Sequence, residues 1–182
     1  MEQKVLVVED ELFTGEAIKQ LLERIGYSPI DEIATNFDMA VKLAEKMDPS
    51  LVLMDIMIEG EKTGIDAAKY INDHFDIPIV FLTAYSDDEN LRSALGTQPY
   101  GYLVKPITNE IDLKPTIELA LSSHKNRKNE KKLAKKAQII EKILDSKTIE
   151  DAGRGLQNKF ILQNSLPLNT QTESLNRSES NE

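Results

Sequence analysis

Short runs of consecutive apolar residues alternate with amphipathic segments along the first two thirds of the chain. Four such runs cover residues 5–8, 51–54, 77–82 and 101–104. Continuous hydrophobicity, in contrast to strict alternation, is typical of strands that are buried on both faces, as in a parallel sheet. A weaker run over residues 30–34 predicts one further strand near a sheet edge. The pattern therefore predicts five strands.

The segments between these runs have helical spacing of apolar residues and predict helices over residues 12–25, 36–47, 65–75 and 87–95. Asn36 is a residue type that caps helix starts, and Gly26 is a typical helix stop. Regular alternation of strand and helix over about 120 residues predicts a doubly wound α/β sheet with right-handed crossovers. The fold class is therefore predicted as α/β.

A final helix is predicted to begin near Pro115, since proline suits the first helical position, and to run through Leu121. Residues 125–136 then hold seven basic side chains and one acidic one. We interpret this stretch as the solvated face of an extended final helix, with a docking surface as the alternative. Apolar residues follow at 4-3-4 spacing over about two heptads, fewer than the three or four that indicate a coiled coil: Leu133, Ala137, Ile140 and Leu144.

The end of the chain is polar. Twelve of the twenty residues from 163 to 182 are Asn, Gln, Ser or Thr, so that burial there cannot offset the entropy cost of ordering. We therefore predict three segments: a folded domain over residues 1–124, a charged helical extension over 125–162 and a disordered polar tail over 163–182.

Charge divides the chain at the same place. Through His124 there are 10 basic and 23 acidic side chains, whereas from Lys125 onward there are 12 basic and 8 acidic ones. The acidic domain argues against a nucleic-acid surface, because it would repel a phosphate backbone. The chain has no cysteine, no apolar run long enough for a membrane span and no start typical of a secretory signal. We therefore expect a cytoplasmic protein with no membrane partner.

Polar residues stand directly after the apolar runs. They are Glu9 and Asp10 after the first strand, Asp55 after the third, Thr83 after the fourth and Lys105 after the last. In open parallel sheets ligands bind at the carboxyl ends of the strands, where these side chains would meet. Clustered carboxylates suit Mg²⁺, and a carboxylate can accept a phosphoryl group. The sequence therefore predicts a magnesium-dependent phosphoryl-transfer site, with Lys105 and Thr83 on the phosphoryl oxygens.

Four stretches carry a family resemblance: Val-Val-Glu-Asp-Glu at 7–11, Leu-Met-Asp-Ile-Met at 53–57, Phe-Leu-Thr-Ala at 81–84 and Gly-Tyr-Leu-Val-Lys-Pro-Ile at 101–107. Over roughly residues 3–122 the chain resembles the CheY-like receiver domain of two-component response regulators, of the single-domain type with a short C-terminal extension. The resemblance implies a flavodoxin-like, five-stranded parallel sheet in the order 2-1-3-4-5, with an extended C-terminal helix and a polar tail.

The resemblance also implies roles for individual residues. Asp55 would be the phosphoacceptor. The metal site would comprise Asp55, Asp10 and the backbone carbonyl of Met57 as direct Mg²⁺ ligands, with Glu9 acting through water. Thr83 and Lys105 would contact the phosphoryl oxygens, and the Lys105-Pro106 peptide bond would be cis. Tyr102 would be the switch aromatic, which moves inward when Thr83 shifts toward the phosphate.

Two features of this chain extend that picture. The loop over residues 58–64 is longer than the family's commonest pattern and lacks its proline, which puts the loop's partner preference in doubt but not the chemistry. Tyr85, two residues after Thr83, is hypothesised to hinder the hydrolytic water and so to lengthen the lifetime of the phosphoryl group.

The predicted function is that of a response regulator which accepts a phosphoryl group from a sensor histidine kinase or a phosphotransfer protein. It would catalyse only its own phosphotransfer and autodephosphorylation, with no organic cofactor. Output would come from binding a downstream partner protein, from passing the phosphoryl group onward, or from dimerisation through the switch surface or the final helix.

Three alternatives belong to other classes. A DNA-binding transcriptional regulator would use the basic extension, but the 57 residues after Lys125 contain few apolar side chains for a second core. A hydrolase with an aspartyl nucleophile would ordinarily need an acid–base Asp two positions later, where Met57 stands. A constitutive adaptor would not need the complete set of phosphorylation residues that the chain carries.

Overall fold

Five parallel strands form one sheet in the order β2-β1-β3-β4-β5, which confirms the predicted topology. In this computed structural model the described residues are 3–84 and 96–164, with side chains of the last helix described as far as residue 144. The strands are β1 (Lys4–Val8), β2 (Ser28–Pro29), β3 (Leu51–Asp55), β4 (Ile79–Thr83) and β5 (Gly101–Val104).

Four helices are described: α1 (Leu12–Arg24), α2 (Phe37–Met47), α3 (Gly64–Phe75) and α4 (Glu110–Asn164). The predicted helix over residues 87–95 and nearly all of the predicted polar tail lie outside the described residues. The chain divides into two units, Met1–Glu130 and Lys131–Glu182. No helix in the described ranges is both long and apolar enough to cross a bilayer.

Two apolar clusters cover the two faces of the sheet. On one face Leu6 and Val8 of β1 lie in a cluster with buried residues of α2 and α3. On the other face Val5 and Val7 lie in a cluster with residues of α1 and of the first turns of α4. Every residue of β3 and β4 is buried. The continuous hydrophobicity of these strands therefore reflects burial on both faces, as the sequence predicted.

The edge strand differs from the prediction. The expected strand over residues 30–34 is wrong: β2 comprises only Ser28 and Pro29, and the backbone returns to β1 at an isolated bridge between Val8 and Ala34. Asp31 and Glu32 are exposed between these two contacts. The chain leaves the ladder there because two consecutive acidic side chains keep their solvation, while Ile30, Ile33 and Ala34 are still buried.

The start of the last helix was also predicted wrongly. The helix begins at Glu110, so that Pro115 lies inside it rather than at its first position. Asn109 provides the start signal, since its side-chain oxygen accepts a hydrogen bond from the backbone N–H of Ile111 at 3.0 Å. Proline within the first two turns removes a single backbone hydrogen bond, and the helix continues past it.

The other helix starts follow from local capping. The predicted cap at Asn36 is confirmed, because its side chain accepts a hydrogen bond from the N–H of Met39 at 3.0 Å. Helix α3 begins with a reciprocal capping box between Thr63 and Asp66. This cap fixes the first turn of α3 directly beside the end of β3, where the predicted phosphoacceptor lies.

Candidate functional site

Three carboxylates meet at the carboxyl edge of the sheet. Glu9 and Asp10 follow β1, and Asp55 is the last residue of the neighbouring strand β3. One oxygen from each lies within 4.8 Å of the others. Glu9 and Asp55 are buried, with 0% and 5% of their surfaces exposed, whereas Asp10 is open to solvent. The strand order thus brings together the acidic residues that the sequence selected, in a cluster with one accessible member.

Lys105 crosses to this cluster from the end of β5. Its ammonium donates to Asp55 Oδ2 at 2.6 Å and to the two Glu9 oxygens at 3.0 and 3.2 Å. Residues 9, 55 and 105 are far apart in sequence, and only the parallel sheet places them side by side. The structure therefore places a cation against Asp55, the acceptor that the sequence predicted. The ion pair with Glu9 was not predicted.

Burial and charge shift the protonation of this cluster. Burial, and next the negative charge of Asp55, raise the pKa of Glu9 to about 7, although Lys105 acts in the opposite direction. Burial alone would lower the pKa of Lys105, but its hydrogen bonds and charge interactions with Asp55 and Glu9 outweigh burial and raise it. The site therefore holds more negative charge than a buried pocket favours, and added positive charge would relieve it.

The backbone around Asp55 is closely packed. Asp55 Oδ1 accepts a hydrogen bond from the N–H of Met57 at 3.2 Å, and the N–H of Gly64 donates to the Ile56 carbonyl at 2.9 Å. A Cβ atom on Gly64 would lie 1.7 Å from the Asp55 carbonyl oxygen. Only glycine fits at this position. Sequence reasoning missed Gly64, although a glycine directly after the helix cap Thr63 is a signal that could have indicated close approach.

The two predicted switch residues lie on adjacent strands. Thr83 is buried, and its hydroxyl donates to the Ala84 carbonyl at 3.1 Å. The ring of Tyr102 stacks on Phe81 with centroids 6.0 Å apart. Its buried hydroxyl has no hydrogen-bond partner in the part of the chain that the structure describes, and burial raises its pKa. The inward movement of Tyr102 stays a prediction, since the ring already packs inside here.

The longer loop after β3 is attached to the start of α2. The N–H of Glu59 donates to the Thr35 carbonyl at 3.1 Å, and the Lys62 ammonium lies 3.9 Å from the centre of the Phe37 ring. These two contacts connect the loop to the start of α2. The predicted cis bond between Lys105 and Pro106 is confirmed. Tyr85 lies outside the described residues.

The donor set fits a hard divalent cation. All three side chains offer carboxylate oxygens, which Mg²⁺ prefers, and exposed Asp10 leaves an opening for water ligands. Met57, whose backbone carbonyl is the remaining predicted ligand, is 54% exposed at the same edge. Receiver domains generally bind Mg²⁺ in such an acidic pocket.

Comparison with known proteins finds relatives among bacterial transcriptional regulatory proteins. Transcriptional regulatory protein YdfI of Bacillus subtilis is 31% identical, over 87% of this chain and 78% of the relative. Transcriptional regulatory protein PdtaR of Mycobacterium tuberculosis is 39% identical, over 66% of this chain and 57% of its own length. The chain spans 47% of the phosphate regulon regulator PhoB of Escherichia coli, which is 34% identical.

Comparison with a solved structure supports the receiver-domain fold. The signal receiver domain of a modulated diguanylate cyclase from Desulfovibrio desulfuricans superposes with a TM-score of 0.65 at 31% identity, covering 70% of this chain and 99% of that domain. Residues 5–118 match the family described as the response regulator receiver domain. This chain therefore belongs to the receiver-domain family of two-component response regulators.

Proposed function

We propose that this protein is a phosphorylation-activated switch that accepts a phosphoryl group on Asp55 from a histidine kinase or a phosphotransfer protein. The observation that carries the proposal is the 2.6 Å contact between Lys105 and Asp55 within a cluster of three carboxylates. A structural ion pair alone would not need three acids at one sheet edge. A site that receives a dianionic group beside an acidic residue does need a cation there.

The transfer exchanges one bond for another. An Asp55 oxygen forms a bond to phosphorus while the bond from phosphorus to the donor's imidazole nitrogen breaks, and the electron pair of that bond stays on the imidazole. The transition state is loose and needs positive charge on the equatorial oxygens. Lys105 already lies within hydrogen-bond distance of Asp55 Oδ2 and can follow the new charge. Thr83 would turn its hydroxyl from the Ala84 carbonyl to a phosphoryl oxygen.

The site would hold Mg²⁺ through Asp10, Asp55 and the Met57 carbonyl, with Glu9 acting through water. When bound, the ion supplies positive charge to the phosphoryl oxygens and offsets repulsion among the carboxylates. Glu9 keeps Lys105 oriented toward Asp55 through its own two contacts. No further enzymatic activity is proposed beyond this transfer and autodephosphorylation.

The phosphorylation signal would be transmitted to a partner through the surface around β5. Thr83 and Tyr102 lie on neighbouring strands, and Val104, two residues after Tyr102 on β5, is 49% exposed. A shift of Thr83 toward the phosphoryl group would change the space available to the Tyr102 ring. Contacts worth a few kcal/mol can shift a two-state population by roughly 10²-fold. The partner that recognises this conformational change would be a cytoplasmic protein.

Transcriptional regulation is a second candidate, because YdfI, PdtaR and PhoB are all named as transcriptional regulatory proteins. The basic residues between 125 and 136 would then contribute the contact with DNA. Electrophoretic mobility shifts at increasing salt test this candidate. Retention that survives high salt and depends on sequence supports it, whereas retention only at low salt is non-specific binding.

Phosphotransfer profiling tests the main proposal. Radiolabelled, autophosphorylated histidine kinases are incubated with the full chain, and transfer of label is followed by gel electrophoresis. The expected result is rapid labelling by at least one kinase, lost in Asp55→Asn. Asp76→Asn is the matched control, because Asp76 also follows a secondary-structure element and is 46% exposed at the opposite sheet edge. Equal labelling of Asp55→Asn and the parent would refute the assignment.

A further inference from the structure

The second unit carries an apolar stripe along helix α4. Leu133, Ile140 and Leu144 are 66%, 58% and 59% exposed, and Ala137 is also exposed. Their 4-3-4 spacing places them on one face of the helix. Large apolar side chains aligned on one face and exposed to water are typical of an interaction surface. We refer to these four residues as the seam.

The charged residues around the seam occupy defined positions of the heptad. The heptad register places Leu133 and Ile140 at position d, and Ala137 and Leu144 at position a. Four lysines then occupy outer positions, away from the seam: Lys131, Lys132, Lys135 and Lys142. Two residues of opposite charge border the seam, Lys136 at position g and Glu141 at position e. They are five residues apart, which is the separation of interhelical g-to-e′ pairs in a parallel coiled coil.

We propose that the seam is covered by further copies of this chain, whose helices associate parallel and in register. In that arrangement Lys136 of each helix faces Glu141 of its neighbour, and the outer lysines remain in water. An antiparallel arrangement pairs g with g and e with e, so that this ion pair is lost. The charge pattern therefore favours a parallel homotypic partner.

The composition of the seam constrains its strength and stoichiometry. Two heptads bury few side chains, so that association is concentration-dependent. Of the two d and a pairs in the seam, only Ile140 at d with Leu144 at a has the pattern that favours bundles of more than two strands. The contact lies wholly within residues 131–144 and does not require phosphorylation of Asp55. Failure of the phosphotransfer proposal would leave it unaffected.

Sedimentation equilibrium of the full chain over a range of concentrations tests the proposal. The expected mass rises from the 20.5 kDa of one chain to a whole-number multiple. Ile140→Asp abolishes this rise, whereas the matched control Ile139→Asp preserves it. The two isoleucines are adjacent and equally exposed, at 58% and 57%, but only Ile140 lies in the seam. A constant monomer mass, or equal effects of the two variants, overturns the proposal.

Disulfide trapping tests the helix direction, since the chain contains no cysteine. Ala137→Cys and Leu144→Cys, made separately, should each cross-link to the same residue of another copy, while Lys135→Cys on the opposite face should not. An antiparallel pair can bring at most one of the two positions beside its own copy, because they lie about 10 Å apart along the helix. Cross-linking at only one position therefore contradicts a parallel seam.

A charge exchange tests the proposed ion pair. Glu141→Lys should raise the concentration needed for association several-fold at low salt, and the double variant Lys136→Glu with Glu141→Lys should restore it. Asp55→Asn should associate like the parent.

If the chain stays monomeric and co-sediments with vesicles containing anionic lipid, the apolar face binds a membrane surface and the proposal is wrong.

Discussion

The two edges of the sheet carry similar ion pairs in opposite environments. At the carboxyl edge Lys105 contacts Asp55 at 2.6 Å and Glu9 at 3.0 Å, and both carboxylates are buried. At the amino edge Asp76 pairs more loosely with Lys128, at 3.6 Å, and their side chains are 46% and 52% exposed. Only at the first edge are the paired carboxylates kept out of water.

This difference identifies the functional edge better than cavity size does. The amino edge has a cavity of about 580 Å³, bordered by Asp76, His124 and Lys128. The Asp76–Lys128 pair there is exposed to solvent, and such pairs contribute roughly 0–1 kcal/mol to stability. At the carboxyl edge, burial raises the pKa of Glu9 to about 7, so that folding opposes its ionised form. A charge that the fold keeps buried despite this cost indicates a functional site.

The largest effect is expected at Gly64. Gly64→Ala places a methyl group where only 1.7 Å separates it from the Asp55 carbonyl oxygen, so that β3 and α3 must move apart. We expect a loss of about 3 kcal/mol in the free energy of unfolding, together with loss of Asp55 phosphorylation. Urea denaturation and phosphorylation assays measure the two effects.

Gly60→Ala is the matched control in the same loop. Its φ of +106° strains an alanine, but nothing lies within 4 Å of the added Cβ atom. The expected cost is about 1–2 kcal/mol with phosphorylation retained. If Gly64→Ala proves no more harmful than Gly60→Ala, the close packing of the acceptor is not what fixes its position.

Replacing the lysine at each edge compares the two edges directly. Lys105→Met leaves buried Glu9 and Asp55 without their cation, and should cost roughly 2 kcal/mol of unfolding free energy at neutral pH without Mg²⁺. Lys128→Met removes an exposed pair and should cost less than about 0.5 kcal/mol. Chemical denaturation of both variants provides the measurement. Equal losses would show that the two edges do not differ in electrostatic cost.

The stability of the metal-free protein should depend on pH through Glu9. Its pKa is about 7 in the folded protein and 4.5 when unperturbed, so that the folded state binds more protons between these values. Stability therefore rises as pH falls from 8 toward 5.5, by on the order of 1 kcal/mol. Lys105, with its raised pKa, remains charged throughout this range.

Glu9→Gln isolates that contribution, because glutamine does not titrate. The unfolding free energy of this variant should change less between pH 8 and 5.5 than that of the parent, in denaturation series without Mg²⁺. Identical pH profiles would mean that the buried carboxylate of Glu9 does not oppose folding.

Apart from the Lys128 control, the smallest effect is expected at Tyr102. Its hydroxyl is buried without a hydrogen-bond partner among the described residues, so that Tyr102→Phe removes a polar group which gains nothing from the fold. Stability should stay the same or rise by up to about 1 kcal/mol, with phosphorylation of Asp55 unchanged. A loss above that magnitude in thermal or urea denaturation would reveal a bond to the hydroxyl.

The sequence predicted the central sheet well because its signals were local and strong. The strands around Leu6, Val52 and Val80 are buried on both faces, so that each reads as an unbroken apolar run. A polar residue directly after such a run must lie at the carboxyl edge, and this placed Asp55, Thr83 and Lys105 correctly. The positions of these side chains could be predicted because strand ends are fixed by the hydrophobic pattern.

The failures have two causes. The two-residue strand β2 depends on its pairing with β1 and not on its own hydrophobicity, since Ile30 and Ile33 are buried outside the ladder. The start of α4 depends on the cap at Asn109, which outweighs the positional preference of Pro115. The requirement for Gly64 depends on a carbonyl nine residues earlier. The strand β2 and the requirement for Gly64 are set by tertiary contact, which a local pattern does not encode, whereas the Asn109 cap is a local signal that competes with the proline.

The central claim is that Asp55 is the residue that becomes phosphorylated. Intact-mass spectrometry after incubation with acetyl phosphate and Mg²⁺ tests it most directly, with Asp55→Asn and Asp76→Asn treated in parallel. We predict an adduct of one phosphoryl group on the parent and on Asp76→Asn, and none on Asp55→Asn or without Mg²⁺. An unmodified parent chain, or an adduct on Asp55→Asn, would contradict the account.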